Sequence, residues 1–548
     1  MNGAEAFVAT LRAFGVDTFF GLPGSTEAAL LEAIRADGGI RYVLALHEGV
    51  AVAMADGYAR ASGRPGVVGL HTTVGTMNGM SQLFNSARDR VPVVMTVGHK
   101  DRAVLAEDGF CALPDLPSLL RPFTKSAWQS LAAREVPADL ARALLAASTT
   151  PAGPTYLAVP EDLMTAQMDA AFEVDSLPRV RQLAPPSEPT RAALAAVAKV
   201  LLAARHPVMV LGSEAAPAGS VAAELAAEIE MAVLAADLTD LATFSFPTTD
   251  PHYLGVYGEE PSVLKGCDLV LAVGGRVFYP FSDRLRPRLP VGATLVHIHP
   301  DPAELGRRLP ADLGVVGDPG AVLKGLLGAC REVVDPSEVP RPTLSPLRER
   351  RVESISRELQ AARGQTPAAV ADVVAEVTKV LPSGTILVEE AVRASRTVFR
   401  YGGVPQGGEI WRSTGGSLGW GLPAAVGAKL ASPDRPVVLL VGDGTLHFSI
   451  QALWTAVAQR APVVVVVLDN GGYLAVKRAI ENMLAVPHDP RTHPGTELPG
   501  IDHLLVARGY GATSVSVSTA REAAEAVEDA LSTQRIEVVV APVAQIRP

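Results

Sequence analysis

Short, almost uninterrupted apolar runs recur along the chain and alternate with segments of helical periodicity. Clear examples are PGVVGLHT at 65–72, VPVVMTVG at 91–98, CDLVLAVGG at 267–275 and RPVVLLVGDG at 435–444. Runs of this kind are typical of strands that are buried on both faces, as the strands of parallel sheets are. Strands that alternate with helices build α/β units, so the pattern predicts an α/β protein with parallel sheets.

The chain has 548 residues, too many for one hydrophobic core, so several domains are expected. Two stretches rich in proline and polar residues, 172–190 and 332–348, are interpreted as linkers. They predict three domains, at 1–170, 190–332 and 362–548. Each is large enough for one doubly wound parallel sheet, so the predicted fold is three such α/β domains in a row.

The first and last thirds of the chain resemble each other. Residues 55–71 (ADGYARASGRPGVVGLH) and residues 425–443 (AVGAKLASPDRPVVLLVGD) both run from a helix of small residues through Ala-Ser and Arg-Pro into an apolar strand. Chance similarity is the alternative, because alanine-rich helices align easily. An internal duplication would give the first and third domains the same fold.

Two polar residues follow neighbouring predicted strands in the last third. Asp443 lies between two glycines at the end of one strand, and Asn470 follows the valine run of the next. Open parallel sheets bind ligands at the carboxyl ends of their strands. With the Gly472 carbonyl, these side chains offer the oxygen ligands that Mg²⁺ prefers, and the glycines leave N–H groups free for a diphosphate. The structural alternative is a helix cap at Asp443 and an Asx-turn at Asn470.

The same stretch resembles the diphosphate-binding motif of thiamine-diphosphate-dependent enzymes. The resemblance extends over essentially the whole chain and includes LHEGVAVAMADGYARASGRPGVVGLHTTVGTMNGM at 46–80, GSLGWGLPAAVG at 416–427 and SIQALWTA at 449–456. Within that family, the benzoylformate decarboxylases are the most similar branch. The resemblance implies a pyrimidine-binding, a central and a diphosphate-binding domain in that order, with thiamine diphosphate and Mg²⁺ as cofactors.

The resemblance also implies roles for individual residues. Glu48, expected to be a buried carboxyl, would hydrogen-bond the aminopyrimidine ring. Leu418 would bend the cofactor, and the Gly416 carbonyl would accept a hydrogen bond from its amino group. Ser25 and His71 match residues that face the reacting carbon, where a histidine relays protons near neutral pH. The residues that would hold the diphosphate or Mg²⁺ are Gly442, Asp443, Gly444, Thr445, Asn470, Gly472 and Tyr473, with Asp443, Asn470 and Gly472 as the metal ligands.

Each of the three catalytic candidates also has a structural interpretation when it is taken alone. Ser25 precedes TEAALLEAI and suits a helix N-cap, and Glu48 stands at a helix start, where the helix dipole favours an acidic residue. His71 would then be an ordinary histidine at a strand end. The joint match to the family favours the functional interpretation.

The predicted substrate pocket departs from the family pattern. Phe281 lies where benzoylformate decarboxylases carry a second active-site histidine, so a proton donor would be missing. Ala479 replaces an aromatic residue, which would widen the pocket. The full set of predicted pocket residues is Phe110, Cys111, Phe281, Val392, Ala475, Val476 and Ala479. Lys477 and Arg478 are interpreted as an exposed helix face, with positive charge at the pocket mouth as the alternative.

These expectations favour decarboxylation of a benzoylformate-like 2-oxo acid to an aldehyde. The rival in the same cofactor class is a carboligase or lyase of the acetolactate-synthase kind, which forms or cleaves 2-hydroxy ketones or 2-hydroxyacyl-CoA. Loss of the second histidine and a wider pocket fit that rival. A non-catalytic subunit of the same fold is a third possibility, but retention of Glu48, Asp443 and Asn470 argues against it. A nucleotide-binding oxidoreductase would need a GxGxxG fingerprint, which the sequence lacks.

Composition limits the partners. The net charge is −10 and there is no long basic run, which argues against nucleic acid and anionic membranes. Cys111, Cys267 and Cys330 are far apart, so a reducing compartment is expected. No signal peptide or spanning segment is recognised, which predicts a cytoplasmic enzyme of small-molecule substrates. Glu48 and Asp443 lie in different domains. In the family such residues meet across two subunits, which implies a homodimer or homotetramer.

Overall fold

The computed structural model describes residues 1–105, 107–168, 177, 189–277, 288–333, 343–392, 394–404 and 406–544. Within these residues the strands form three α/β sheets, one built mainly from each third of the chain, as the sequence predicts. None of the helices in these ranges is long and apolar enough to cross a membrane. Phe281 and most of the predicted linker 172–190 lie outside the described residues. The second predicted linker becomes helical from Ser345 onward.

The first sheet consists of β1 Thr18–Leu22, β2 Arg41–Leu44, β3 Gly66–His71, β4 Val93–His99, β5 Ser126–Gln129 and β6 Thr155–Pro160. Its helices are α1 Gly3–Ala13, α2 Ala28–Asp37, α3 Glu48–Ser62, α4 Thr72–Arg88, α5 Arg102–Leu105, α6 Val136–Ser148 and α7 Glu161–Thr165. The strands are parallel in the order β2-β1-β3-β4-β6-β5. The apolar strands β4 and β6 are buried along their whole length, because both faces of a parallel sheet are covered.

The middle third contributes β7 Pro207–Leu211, β8 Ala232–Ala235, β9 Thr243–Phe244, β10 Tyr253–Val256, β11 Leu269–Val273, β12 Thr294–His299 and β13 Leu313–Val316. Its helices are α8 Arg191–Ala203, α9 Gly219–Glu228, α10 Pro261–Leu264 and α11 Pro319–Val333. The central sheet is parallel, in the order β10-β8-β7-β11-β12-β13. Strand β9 is missing from this sheet because it pairs elsewhere.

The crevice between β7 and β11 is the topological switch point, where doubly wound sheets bind nucleotides. Here the cavity has a volume of about 10 Å³, which is room for a single water. Arg276 and Asp240, paired at 2.6 Å, line it, and a Cβ on Gly212 would lie 2.3 Å from the Gly274 carbonyl oxygen. The described residues leave no room for a larger group at this point, and a cavity of about 1020 Å³, lined by Ser213, Glu214 and Pro300 among others, lies at the same ends of the strands.

The third sheet consists of β14 Ile386–Glu390, β15 Glu409–Trp411, β16 Val437–Gly442, β17 Val464–Asp469, β18 Thr513–Ser516 and β19 Glu537–Pro542. The helices are α12 Ser345–Ala362, α13 Val370–Lys379, α14 Ser395–Tyr401, α15 Gly421–Ala431, α16 Asp443–Leu446, α17 Ala452–Gln459, α18 Leu474–Leu484, α19 His503–Gly509 and α20 Ala520–Ser532. The order is β18-β19-β17-β16-β14-β15-β9, in which β9 pairs antiparallel with β15. One edge strand of this sheet thus comes from the middle third of the chain.

The first and third sheets have the same topology. The first reads β2-β1-β3-β4-β6-β5, and the third, read from β15, is β15-β14-β16-β17-β19-β18. Each strand of the first sheet has its counterpart at the same place in the third, in the same chain order. The first and third domains therefore share the same topology, as a duplication at 55–71 and 425–443 predicts, with α3 and β3 matching α15 and β16.

The two matching helices, α3 and α15, pack directly on each other. A Cβ on Gly57 would lie 2.1 Å from the Ala424 carbonyl oxygen, and a Cβ on Gly427 would lie 2.0 Å from the Met54 carbonyl oxygen. Gly57 and Gly427 are equivalent in the internal repeat, so the contact is symmetric. Only glycine allows two helix backbones to approach so closely, and this crossing joins the first domain to the third.

We expect Gly427→Ala to destabilise the protein by about 1–3 kcal/mol, because the added methyl must push two backbones apart. Gly328, in α11, is the matched control, since a Cβ there meets nothing within 4 Å. Gly328→Ala should raise stability by about 0.5–1 kcal/mol, as alanine favours the helix. Thermal melting of both variants measures the difference. A Gly427→Ala melting temperature at or above the wild-type value would contradict the tight crossing.

Candidate active site

A cavity of about 260 Å³ opens at the carboxyl edge of the third sheet. It lies beside the ends of β14, β16 and β17, where open parallel sheets bind their ligands. It is lined by every third-domain residue that the sequence assigns to the cofactor: Gly416, Leu418, Gly442, Asp443, Gly444, Thr445, Asn470, Gly472 and Tyr473. Three predicted pocket residues, Val392, Ala475 and Val476, line the same cavity.

Asp443 and Asn470 meet inside this cavity. Strand β16 ends at Gly442, so Asp443 starts α16, and Asn470 follows the last residue of β17. The Asn470 Nδ2 donates a hydrogen bond of 3.3 Å to Oδ1 of Asp443, which is 1% exposed. Asp443 Oδ2 and Asn470 Oδ1 are buried and have no hydrogen-bond partner among the described residues. An open buried acceptor costs about 1–3 kcal/mol, so the pair is suited to receive a cation.

The electrostatics of the cluster agree with this geometry. Burial raises the pKa of Asp443, and the neighbouring Asp469 carboxylate raises it further. The backbone N–H groups of Gly444 and Gly472 and the His503 imidazole act in the opposite direction. A divalent cation would supply the missing positive charge and favour the ionised form. Carboxylate, amide and backbone oxygens are hard donors, so the residues present fit Mg²⁺.

The glycines of this loop are required by packing. The N–H groups of Gly444 and Gly472 lower the pKa of Asp443, and their role in binding phosphate stays a prediction. The Gly472 carbonyl accepts a hydrogen bond of 3.1 Å from the Leu474 N–H and keeps one lone pair for a metal. Gly472 has a φ of 155°, and a Cβ there would lie 2.3 Å from the Thr496 carbonyl oxygen.

The loop that carries Gly416 and Leu418 is held by α4 of the first domain. Gln82 Nε2 donates a hydrogen bond of 2.9 Å to the Leu418 carbonyl, and Asn85 exchanges hydrogen bonds of 2.8 and 3.1 Å with the Ser417 backbone. Both amide side chains are buried. The sequence analysis missed them, because polar residues on a helix look like a solvated face until the partner domain is in place.

Glu390 fixes the same loop from the other side. This last residue of β14 accepts hydrogen bonds of 3.0 and 2.8 Å from the N–H groups of Trp420 and Gly421, at the start of α15. Burial raises the pKa of Glu390 to about 8, although the backbone donors lower it. The sequence GTILVEE predicts the strand, but it contains no sign that both glutamates are buried or that Glu390 holds the loop of Gly416 and Leu418.

The first-domain candidates lie together at the carboxyl edge of the first sheet. Ser25 follows β1, Glu48 starts α3 after β2, and His71 ends β3. Glu48 is half-buried within the chain, where the sequence predicted a buried carboxyl, and its Oε2 accepts a hydrogen bond of 3.1 Å from Asn78 Nδ2. A Cβ on Gly24, the residue before the exposed Ser25, would lie 2.3 Å from the half-buried His71 ring.

His71 is oriented by two residues that the sequence analysis missed. Its Nδ1 lies 2.9 Å from Thr26 Oγ1 and 3.1 Å from Glu27 Oε2. Among the described residues, the hydrogen bonds of this ring are all at Nδ1, which leaves Nε2 for a substrate. Glu27 is 5% exposed, and burial raises its pKa while the surrounding hydrogen bonds lower it. In the sequence Glu27 looks like an ordinary helix-capping residue.

The two clusters do not share a cavity within one chain. The residues that line the 260 Å³ cavity all lie between 370 and 544, so Glu48, Ser25 and His71 are not among them. Large apolar side chains are exposed at both clusters. Near Glu48 they are Leu46, Val74 and Met77, and at or next to the cavity they are Val392, Phe448 and Val476. Exposed apolar side chains that cluster at such sites mark interaction surfaces.

Three predicted pocket residues lie outside the cavity. Phe110 is 87% exposed in the segment after β4, and the Cys111 carbonyl accepts a hydrogen bond of 3.0 Å from Thr73 Oγ1. Ala479 is exposed on α18, one turn beyond Ala475. Within one chain, these residues are therefore not brought to the cavity.

Lys477 is buried, so the interpretation of an exposed helix face is wrong for this residue. It is 2% exposed, and its Nζ donates a hydrogen bond of 2.7 Å to Glu497. The pair fastens α18 to the segment around Thr496, whose carbonyl accepts a hydrogen bond of 3.0 Å from the Tyr473 N–H. The ammonium charge is thus neutralised inside the protein.

Glu390 makes stability depend on pH. Its pKa is raised from the ordinary 4.5 to about 8, so the folded protein holds this proton more tightly than the unfolded chain does. This proton therefore contributes to the free energy of unfolding. The contribution is complete below about pH 4.5 and is lost as the pH rises toward 8. The melting temperatures of wild type and Glu390→Gln are compared from pH 5 to 8. We expect the melting temperature of the wild type to fall relative to that of the variant as the pH rises. A pH-independent difference would contradict the assignment.

Three models of the thiamine pyrophosphate (thiamine diphosphate) enzyme family match the chain: the N-terminal TPP-binding domain at 1–117, the central domain at 194–326 and the C-terminal TPP-binding domain at 394–541. Benzoylformate decarboxylase of Pseudomonas aeruginosa is 35% identical over 98% of both chains. An acetolactate synthase large subunit of Haemophilus influenzae is 27% identical over 97% of this chain and 92% of its own. The solved thiamine diphosphate-dependent 4-hydroxybenzoylformate decarboxylase of Rhodococcus jostii superposes over 99% of both chains, with a TM-score of 0.85 and 31% identity. The chain therefore belongs to the thiamine pyrophosphate enzyme family.

Proposed function

We propose that the protein is a thiamine-diphosphate- and Mg²⁺-dependent decarboxylase that converts a benzoylformate-like 2-oxo acid to an aldehyde and carbon dioxide. The observation that carries the proposal is the pair of open buried oxygens, on Asp443 and Asn470, in a cavity at the carboxyl edge of the third sheet. Similarity to a benzoylformate decarboxylase over 98% of both chains supports the reaction class.

In this proposal Asp443, Asn470 and the Gly472 carbonyl hold Mg²⁺, while the other cavity residues named above contact the cofactor. When bound, thiamine diphosphate supplies the carbon nucleophile that adds to the keto carbon and accepts the electron pair that carbon dioxide leaves. The chain's own part is to orient the reactants and to exclude water. Leu418, held by Gln82 on one side and through Glu390 on the other, gives the cofactor a fixed apolar surface.

The first-domain residues handle protons. Glu48 holds the proton that it shares with the aminopyrimidine ring, and the hydrogen bond from Asn78 fixes its Oε2. His71 moves a proton at Nε2, because Thr26 and Glu27 occupy Nδ1 and set the ring orientation. The Ser25 hydroxyl, exposed beside His71, donates a hydrogen bond to the substrate carboxylate.

The substrate side chain meets small apolar residues. Val392, Ala475 and Val476 line the cavity, and Phe110, Cys111 and Ala479 are assigned to the remaining wall. Lys477 of α18 is buried in an ion pair with Glu497, so its charge is not presented to this wall. An uncharged aryl or alkyl group therefore suits the wall best. Phe281 remains a predicted pocket residue in place of a proton donor.

The active enzyme is proposed to be a homodimer or a homotetramer. Glu48 and Asp443 must contact one cofactor, yet they belong to separate clusters in the chain, and apolar side chains are exposed at both. An isologous interface between two copies would cover these side chains and complete two equivalent sites. All three cysteines are free, which fits a reducing cytoplasm.

A first experiment uses full-length protein with thiamine diphosphate, Mg²⁺ and benzoylformate. We expect rapid release of benzaldehyde, and Glu48→Gln should lower kcat by about 10²–10⁴-fold, because the proton transfer loses its carboxyl. Glu224→Gln, an exposed acid on α9, is the matched control and should retain wild-type rates. Near-normal turnover in Glu48→Gln would sink the mechanism.

The same assay tests the carboligase alternative, which the similarity to an acetolactate synthase supports. Products are identified by mass with and without an added aldehyde or 2-oxo acid acceptor. Free aldehyde in the absence of an acceptor is the expected result. Products that form only with an acceptor would make the protein a carboligase and would reject the decarboxylase.

A second experiment tests the shared site. Glu48→Gln and Asp443→Asn each inactivate both sites of a dimer, but a hybrid of the two variants carries one site with both native residues. Unfolding and refolding an equal mixture should therefore restore about a quarter of wild-type activity, by random pairing in a two-fold dimer. Each variant refolded alone is the control. If the mixture stays as inactive as its components, each site lies within a single chain.

A further inference from the structure

A cavity of about 670 Å³ lies between the middle and last thirds of the chain, beside α12. Its size is that of a small-molecule site, since such pockets measure about 300–1,000 Å³. Its lining comes from α12, from β10 and the segment before it, and from α13 and α14 with their C-terminal ends. None of the described residues lines both this cavity and the cofactor cavity. It is therefore a separate space that the candidate active site does not use.

One face of α12 forms a wall of this cavity. A helix normally buries its apolar stripe in a core. In α12, however, Ala362 alone is buried, and Val352 is 65% exposed. The apolar stripe therefore borders the cavity and not a packed core. The α12 residues that line the cavity are spaced so that they share one helix face: Arg348, Arg351, Val352, Ile355 and Leu359.

The rest of the cavity also presents apolar surface. Leu254 and Leu381 line it and are buried, as is the Tyr253 ring. The Tyr253 hydroxyl donates a hydrogen bond of 3.2 Å to the Phe399 carbonyl, so its polar end is satisfied inside the protein. An apolar group in the cavity would thus be shielded from water by α12 and by the body of the protein.

Ion pairs hold α12 beside the cavity. Arg351 and Arg400 bind the Glu260 carboxylate at 3.2 and 2.7 Å, and Arg400 of α14 also binds Glu358 of α12 at 2.6 Å. The hydrogen bond from Arg400 lowers the pKa of Glu358 to about 2, so this carboxylate is ionised at neutral pH. These bridges fix the wall of the cavity, and their two guanidinium groups are already engaged.

Arg348 is a cation of the lining that has donors to spare. Its Nη2 donates a hydrogen bond of 3.1 Å to Glu230, while its Nε is buried and has no acceptor among the described residues. A buried donor without a partner costs about 1–3 kcal/mol, and a guanidinium can bind a carboxylate through two parallel hydrogen bonds. The surroundings favour an anion, because four cations line the cavity against one carboxylate, Asp250. The four cations are Arg348, Arg351, Lys379 and Arg400.

We propose that this cavity binds an amphipathic monocarboxylate, with its apolar tail along Val352, Ile355 and Leu359 and its carboxylate at Arg348. From Arg348 to Leu359 the helix rises about 16 Å, which accommodates a saturated chain of the length of decanoate. Apolar side chains and one guanidinium with open donors recognise the two ends of such a ligand. The site is distinct from the substrate pocket, and the proposal does not rest on the proposed function.

The test titrates decanoate into full-length protein in the presence of saturating thiamine diphosphate and Mg²⁺ and measures the heat of binding by isothermal titration calorimetry. We expect saturable binding at one site per chain in wild type. Arg348→Gln and Ile355→Glu should each weaken binding at least about tenfold, since one removes the guanidinium and the other places a carboxylate in the apolar wall. Acetate lacks the tail and decanol lacks the charge, so both should bind at least about tenfold more weakly than decanoate.

The matched controls are Arg357→Gln and Gln360→Glu, which make the same changes of charge at exposed positions of α12 that do not line the cavity. Both should bind decanoate as wild type does. Melting temperatures without ligand check that every variant is folded. A measurement without any mutation uses decanoate that carries a diazirine in its tail, which should label α12 or β10 on illumination, and an excess of decanoate should suppress the label.

Three results would overturn the proposal: no saturable binding in wild type, label confined to other segments, or undiminished binding by folded Ile355→Glu. Equal affinity for decanol and decanoate would overturn it too, because the guanidinium would then recognise nothing. The outcome is separable from the proposed function. Decanoate binding without decarboxylation rejects the function alone, whereas decarboxylation without decanoate binding rejects the site alone.

Discussion

The close crossing of α3 and α15 fixes the position of the first sheet relative to the third. Its geometry depends on Gly57 and Gly427, at each of which a side chain would collide with a carbonyl oxygen of the other helix. Each helix leads directly into the strand that carries a candidate site residue at its carboxyl end, His71 in one case and Asp443 in the other. A change in the crossing would therefore displace both edges at which the chemistry is proposed to occur.

Buried charges reinforce the same contact. The Arg60 guanidinium pairs with Asp56 and Asp89 at 2.7 Å each and lies 4.7 Å from the Trp420 ring. Trp420 Nε1 donates a hydrogen bond of 2.9 Å to Asp56. Since each buried charge is paired, the network holds the domains together without leaving an isolated ion, which would cost several kcal/mol. Trp420 stands two residues after Leu418, so the domain interface also positions the loop of Gly416 and Leu418.

Polar groups near the candidate site fall into two kinds. Those that position the loops, such as Gln82 and Glu390, have their hydrogen bonds satisfied within the chain. Asp443 and Asn470 each keep one buried oxygen open. A fold tolerates open buried acceptors where a ligand completes them, because the binding energy of the ligand offsets their desolvation. The contrast separates the supporting residues from the two that keep an oxygen open for a ligand.

The sequence by itself determined the α/β class and the three sheets, and it suggested the internal repeat and the third-domain residues assigned to the cofactor. These follow from local patterns: apolar runs, glycines at strand ends, and polar residues spaced by one crossover. Only the tertiary structure decided which polar residues are buried. Lys477, Gln82 and Glu27 look like solvated or capping residues in sequence, and their burial depends on segments far away in the chain. The pairing of β9 with the third sheet and the proximity of His503 to Asp443 are also contacts between distant segments. Such contacts leave no periodic pattern in a single sequence, so the sequence could not predict them.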